Sequence, residues 1–113
     1  NGLLYEEVLR KASRWGTTEN LMFVIGATRA DWFTRIRNLT PDHFYLVPGV
    51  GAQGGSLKEI SEKALNPDGG LLVNASRAII YASSGEDFAE KAGEAALSYA
   101  DEMRGYLQHA GLL

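Results

Sequence analysis

The chain has 113 residues, 45% of them apolar, enough to build the core of one small domain. Its 14 acids and 11 bases are interspersed and leave a formal charge of −3, which excludes the clustered basic footprint of a nucleic-acid binder. With no cysteine and two histidines, His43 and His109, disulfide frameworks, thiolate metal sites and His-rich metal sites are excluded too, and no apolar run is long enough to span a membrane.

The first segment, NGLLYEEVLRK, is amphipathic and charged, unlike a signal peptide. The start at Asn1, without Met, leads us to expect a piece of a longer chain. Residues 3–15 have helical periodicity, with Leu4, Val8, Ala12 and Trp15 on the apolar side and Gly16 as the expected C-cap. The acids of the helices, Glu6 and Glu7 included, are expected on solvated faces. Leu21–Ile25 is a short continuous apolar run, as in a strand buried on both faces. Thr28 with Asp31 is a capping-box pattern before a helix whose apolar side is Trp32, Phe33, Ile36 and Leu39.

The pattern then repeats. Phe44–Val47 predicts a second strand and residues 48–55 a glycine-rich loop. Ser56 and Glu59 cap a helix carrying Leu57, Ile60, Ala64 and Leu65. Asn66-Pro67-Asp68-Gly69-Gly70 is turn chemistry, Leu71–Val73 a third strand, and Asn74–Arg77 its exit. Ser84 with Asp87 is expected to cap a long helix over 85–108, with Phe88, Ala92, Ala96, Tyr99, Met103 and Leu107 on one face.

The order is one helix followed by three βα units, which implies an α/β fold with a parallel sheet covered by helices. A small flavodoxin-like sheet fits this order, as does part of a (β/α)₈ TIM barrel, whose eight units total about 250 residues. A partial barrel would leave unpaired strand edges and an uncovered apolar interior face. It would be expected to pair with itself or with its missing half.

The loop LVPGVGAQGGSLKE links a strand to a capped helix. Its glycines let successive N–H groups approach an anion at a helix N-terminus, so the loop with Gly54 and Gly55 is a candidate phosphate-binding segment around the single long polar side chain of Gln53. Ser76 and Arg77 end the next strand, and a guanidinium fork suits phosphate oxygens. Neighbouring strand exits would bring both features to one anion. No paired carboxylates sit at the strand exits, and neither His43 nor His109 is placed to serve a serine nucleophile. Pattern alone therefore implies a phosphate grip without a reaction.

The runs VIGATRAD, LVPGVGAQGG and LLVNASRAIIYAS resemble the C-terminal part of the orotidine 5′-phosphate decarboxylase family, most of all its longer bacterial form, over about residues 20–105. The resemblance implies the last three βα units of a TIM barrel, residues 1–113, with the N-terminal half absent. It implies a cytoplasmic carboxy-lyase of pyrimidine and UMP biosynthesis, usually a homodimer. Such an enzyme converts orotidine 5′-phosphate to UMP and CO₂ with no cofactor, metal, nucleic acid or membrane partner. By the same resemblance Gln53 spans phosphate and pyrimidine, and Arg77 binds phosphate. Pro48 and Val50 lie near the base, and Ile25 lines the apolar part of that pocket. Ser76 stands where the family often has glycine. The family's catalytic Asp-x-Lys motif has no counterpart in the chain, so the chain alone is expected to be inactive. Two other readings share the anion site. One is a different phosphate-binding barrel acting on a sugar phosphate. The other is a non-catalytic module that binds a phosphorylated ligand or oligomerises.

Overall fold

The structure, a computed structural model, describes residues 3–51 and 56–113. Helix α1 (Leu4–Ser13) leads into strand β1 (Phe23–Val24), a 3₁₀ helix (Ala27–Trp32) and helix α2 (Phe33–Leu39). Strand β2 (Tyr45–Val47), helix α3 (Leu57–Ala64), strand β3 (Leu71–Val73), the short helix α4 (Ser76–Ile80) and the long helix α5 (Phe88–His109) follow. The strands form one parallel sheet in the order β1-β2-β3. Phe23 is level with Tyr45 and Tyr45 with Leu71, so all three strands point their exits the same way.

Side chains alternate across a strand, so residues level with one another share a face. Phe23, Tyr45, Leu71, Val47 and Val73 lie on the face that packs with the helices, where Phe33, Ile36, Leu57, Ile60 and Ala64 complete the core. Val24, Leu46 and Leu72 lie on the other face, where Val24 is 67% and Leu72 58% exposed. The first strand is therefore not buried on both faces, because no described element covers the second one. The open apolar face and the edge strands β1 and β3 are those a partial barrel was expected to leave.

Several local expectations shift. Helix α1 ends at Ser13 with Arg14 as its C-cap, two residues before the expected cap at Gly16. Its core contacts come from Tyr5 and Leu9, while Leu4, Val8 and Trp15 are exposed. Tyr5 stacks on Trp32 at 4.9 Å. Glu6 is not solvated: it is only 4% exposed, pairs with Arg35 at 2.8 Å and accepts from the Leu3 N–H at 3.2 Å. It thereby satisfies an orphan donor at the helix start. The α2 region opens with a 3₁₀ turn whose N-cap, Gly26, offers no side-chain bond. Ser56 does cap α3 by accepting from the Glu59 N–H at 3.2 Å. The last helix is capped at Asp87 rather than Ser84, and Phe88 at its start is exposed.

The entrance end of the sheet is organised by Arg37, a residue the helical periodicity of α2 does not single out. Its guanidinium is buried, lies 3.9 Å over the Tyr45 ring and donates to backbone carbonyls from three segments. Nε reaches Ala64 O at 2.8 Å, Nη1 reaches Thr40 O at 3.0 Å and His43 O at 2.6 Å, and Nη2 reaches Gly70 O at 3.3 Å. Burial pulls the guanidinium pKa below its ordinary value, against the attraction of Tyr45 and Asp42. Burial likewise raises the Tyr45 phenol above 10.0, against its hydrogen bond with Thr40 and the charge of Arg37.

Two predictions follow from this end of the sheet. Replacement by Lys cannot reproduce the planar fork, so Arg37→Lys is expected to destabilise the fold by more than about 2 kcal/mol in urea unfolding, since buried carbonyls left unpaired cost about 1–3 kcal/mol each. The raised Tyr45 value means that the folded state holds this proton more tightly than the unfolded chain. That contribution is full below about pH 10 and is lost as pH rises through the folded value. Stability should fall above that pH, and Tyr45→Phe should flatten the fall in alkaline unfolding curves.

Candidate functional site

Because β2 and β3 are parallel and in register, their exits stand side by side, and Asn74 N–H donates to Val47 O at 2.9 Å across them. Beyond this bond the two chains diverge around a cleft of about 140 Å³ lined by Pro48, Gly49, Val50, Asn74, Ala75, Ser76 and Arg77. That volume is below the roughly 300–1,000 Å³ of pockets that enclose a whole small molecule. It suits one end of a ligand.

The glycines at the cleft's base have a physical reason. Gly49 and Gly51 have φ of 87° and 84°, the left-handed region that side chains rarely adopt. At Gly51 space is also closed: a methyl group there would lie 2.2 Å from Tyr99 Oη and 3.2 Å from Ala78 Cβ. Gln53, Gly54 and Gly55 lie outside the described residues.

On the opposite wall, Asn74 Oδ1 accepts from the Ser76 N–H at 3.1 Å and from Ser76 Oγ at 2.6 Å. Both Ser76 donors thus point at Asn74, an arrangement that the Asn-Ala-Ser spacing favours. Arg77, in the first turn of α4, is exposed at the rim, and no ion pair of its guanidinium occurs among the described residues. Pro48 is half-buried, and Val50 lines the cleft with its side chain in the core.

Ile25 is not brought to this cleft. Its N–H donates to Leu46 O at 2.9 Å, and it lines a separate apolar hollow with Leu4, Tyr5, Val8, Leu9, Phe23 and Val24. The period-two alternation from Phe23 puts it on the helix-covered face, away from the exits of β2 and β3. Asn74 and Tyr99 are features of the site that periodicity undervalues. The Asx-turn pattern marks Asn74, whereas nothing local separates Tyr99 from the other apolar positions of α5.

No protein-family profile matches the chain. Curated relatives are similar over most of it. It is 56% identical to orotidine 5′-phosphate decarboxylase from Flavobacterium johnsoniae over 100 residues, 88% of this chain and 37% of that protein. It is 52% identical to the protein of that name from Parabacteroides distasonis over 110 residues, 97% of this chain and 39% of that protein. The chain therefore spans less than two-fifths of the length of these relatives. Among solved structures, UMP synthase from Leishmania donovani superposes with a TM-score of 0.76 at 34% identity, covering 94% of this chain and 23% of that one. Orotidine monophosphate decarboxylase from the same organism gives 0.73 at 32% identity, covering 94% and 39%. The fold is accordingly a portion of a (β/α)₈ TIM barrel, and the sequence is similar to a part of the orotidine 5′-phosphate decarboxylases.

Proposed function

We propose that this chain, as a portion of an orotidine 5′-phosphate decarboxylase, holds the phosphate end of the substrate. The complete protein then converts orotidine 5′-phosphate to UMP and CO₂. The observation that carries the reading is the convergence of two strand exits on one small cleft with the exposed Arg77 at its rim. A cleft of that size accommodates a phosphate group, and a guanidinium binds such a group in bidentate fashion. Gly49, which lines the cleft, has the positive φ that lets the chain turn there without strain. Gln53, Gly54 and Gly55 extend the proposed cradle towards α3, whose capped N-terminus favours negative charge. Pro48 and Val50 form the wall nearest the base. With both Ser76 donors turned to Asn74, the charge-bearing contact falls to Arg77.

The reacting end belongs elsewhere. Loss of CO₂ from the pyrimidine leaves a developing carbanion, which needs a cation beside it and a proton afterwards. Arg77 cannot supply that proton, since an arginine does not deprotonate in proteins, and the phosphate occupies it. The chain carries no Asp-x-Lys triplet. We therefore place the catalytic lysine in the part of the barrel that this chain does not contain. On the same reading these residues are the last three βα units of the barrel. The edges of β1 and β3 and the open face bearing Val24 and Leu72 are where the remaining strands close it. The complete enzyme is a homodimer.

Phosphate contacts remote from the scissile bond supply binding energy that an enzyme uses to organise its reacting centre. Arg77→Ala in the complete protein is expected to weaken UMP binding roughly 10- to 100-fold, the range for a lost hydrogen bond to a charged group, as measured by titration calorimetry. Equal affinity with and without Arg77 would refute the assignment. The 113-residue chain by itself is expected to show no turnover of orotidine 5′-phosphate in a decarboxylation assay.

A further inference from the structure

The position of Gly51 ties the cleft to a helix that lies behind it. Tyr99, on α5, fills the space in which a side chain at Gly51 would stand: a methyl group there would be 2.2 Å from its Oη and 3.4 Å from its Cζ. Ala78 closes the same space from α4, its Cβ 3.2 Å from that methyl position. Ala78 follows Arg77 directly in the chain. The loop base, the helix of the rim arginine and α5 therefore meet at one point. The Tyr99 ring is partly buried and packs against the core, beside an apolar hollow that it lines with Leu71, Val73, Ile79 and Met103, while its hydroxyl end faces Gly51. No hydrogen bond of that hydroxyl occurs among the described residues, so its contact with Gly51 is one of shape.

We propose that Tyr99 is a positioning residue for the phosphate site, a wedge that sets the backbone of Gly51 against the helix bearing Arg77. The inference rests on the phosphate reading above and adds to it a residue that touches no ligand. Its physical basis is reach. Close packing transmits small displacements, and a misplacement of about 1 Å at a binding group can cost about 100-fold in rate. Removing the wedge frees the loop base to shift away from Arg77, and only a ligand gripped by both would register the change.

The test compares two substrates of the complete enzyme: orotidine 5′-phosphate and orotidine, which lacks the phosphate. Tyr99→Ala is expected to lower the ratio of their kcat/KM values by about tenfold, while Tyr99→Phe, which keeps the ring, loses much less. A structural role alone would depress both substrates equally and leave the ratio unchanged, and that result would overturn the proposal. Should Tyr99→Ala fail to fold, a double-mutant cycle decides. Gly51→Ala collides with Tyr99 Oη in the native background only, while its contact with Ala78 and its positive φ are common to both backgrounds, so its effect on the ratio should be smaller in the Tyr99→Phe background. Additive effects in the cycle would overturn the proposal as well. Arg77→Ala serves as the control. If it lowers the ratio while the Tyr99 variants do not, the wedge falls and the phosphate reading stands. If it too leaves the ratio unchanged, both fall.

Discussion

The guanidinium of Arg37 is the constraint from which the rest of this structure follows. It accepts no bonds and has five donors to place. Burial in an apolar sheet end would be prohibitive unless those donors were met. They are met by carbonyls of the α2–β2 connection, of Ala64 at the end of α3 and of Gly70 just before β3. Asn66 reinforces the same cluster by donating to Pro41 O at 3.2 Å, and Gly70 O also accepts from the Tyr45 N–H at 2.8 Å. Two successive βα units are thus pinned at the ends where their strands begin. Strands of three residues have few ladder bonds of their own to define register. A shared polar anchor at the entrance supplies what the ladder lacks.

Fixing the entrances fixes the exits. With Tyr45 level with Leu71 and Val47 with Val73, the chain leaves both strands at the same height. Pro48–Val50 and Asn74–Arg77 then face each other across one small cleft. The stabilising end of the sheet and its proposed binding end are consequently separate. The buried arginine serves architecture by directing all three of its nitrogens to backbone carbonyls. The exposed arginine leaves its fork available. The same residue type takes opposite roles because burial decides whether its donors are committed.

Much of this was legible in the sequence, for identifiable reasons. Continuous apolar runs such as Tyr45–Val47 and Leu71–Val73 carry the signal of a parallel sheet, and the Ser56–Glu59 spacing carries the start of α3. The turn at Asn66–Gly70 is written in its residues, two of them glycines with φ of 88° and 75°. The side-by-side exits follow from the alternation of elements. What escaped the pattern are contacts made across the fold. Arg37 has the composition of a surface residue, and its burial depends on carbonyls far along the chain. Glu6 is buried because Arg35 comes to it from the next helix. The apolar stripe of Leu4, Val8 and Trp15 has helical spacing, yet it faces outward. Periodicity shows that a helix has an apolar side without showing which described neighbour covers it. Ile25 is placed near the ligand by the resemblance alone, whereas alternation from Phe23 turns it towards the helices.

The proposed phosphate grip is a matter of location, between the exits of β2 and β3, and a crystal structure of the complete enzyme with UMP bound would show it. The phosphate is expected in the cleft of Pro48–Val50 and Asn74–Arg77, with the Arg77 guanidinium within hydrogen-bond distance of its oxygens. A phosphate bound at another strand exit, with Arg77 left in solvent, would contradict it.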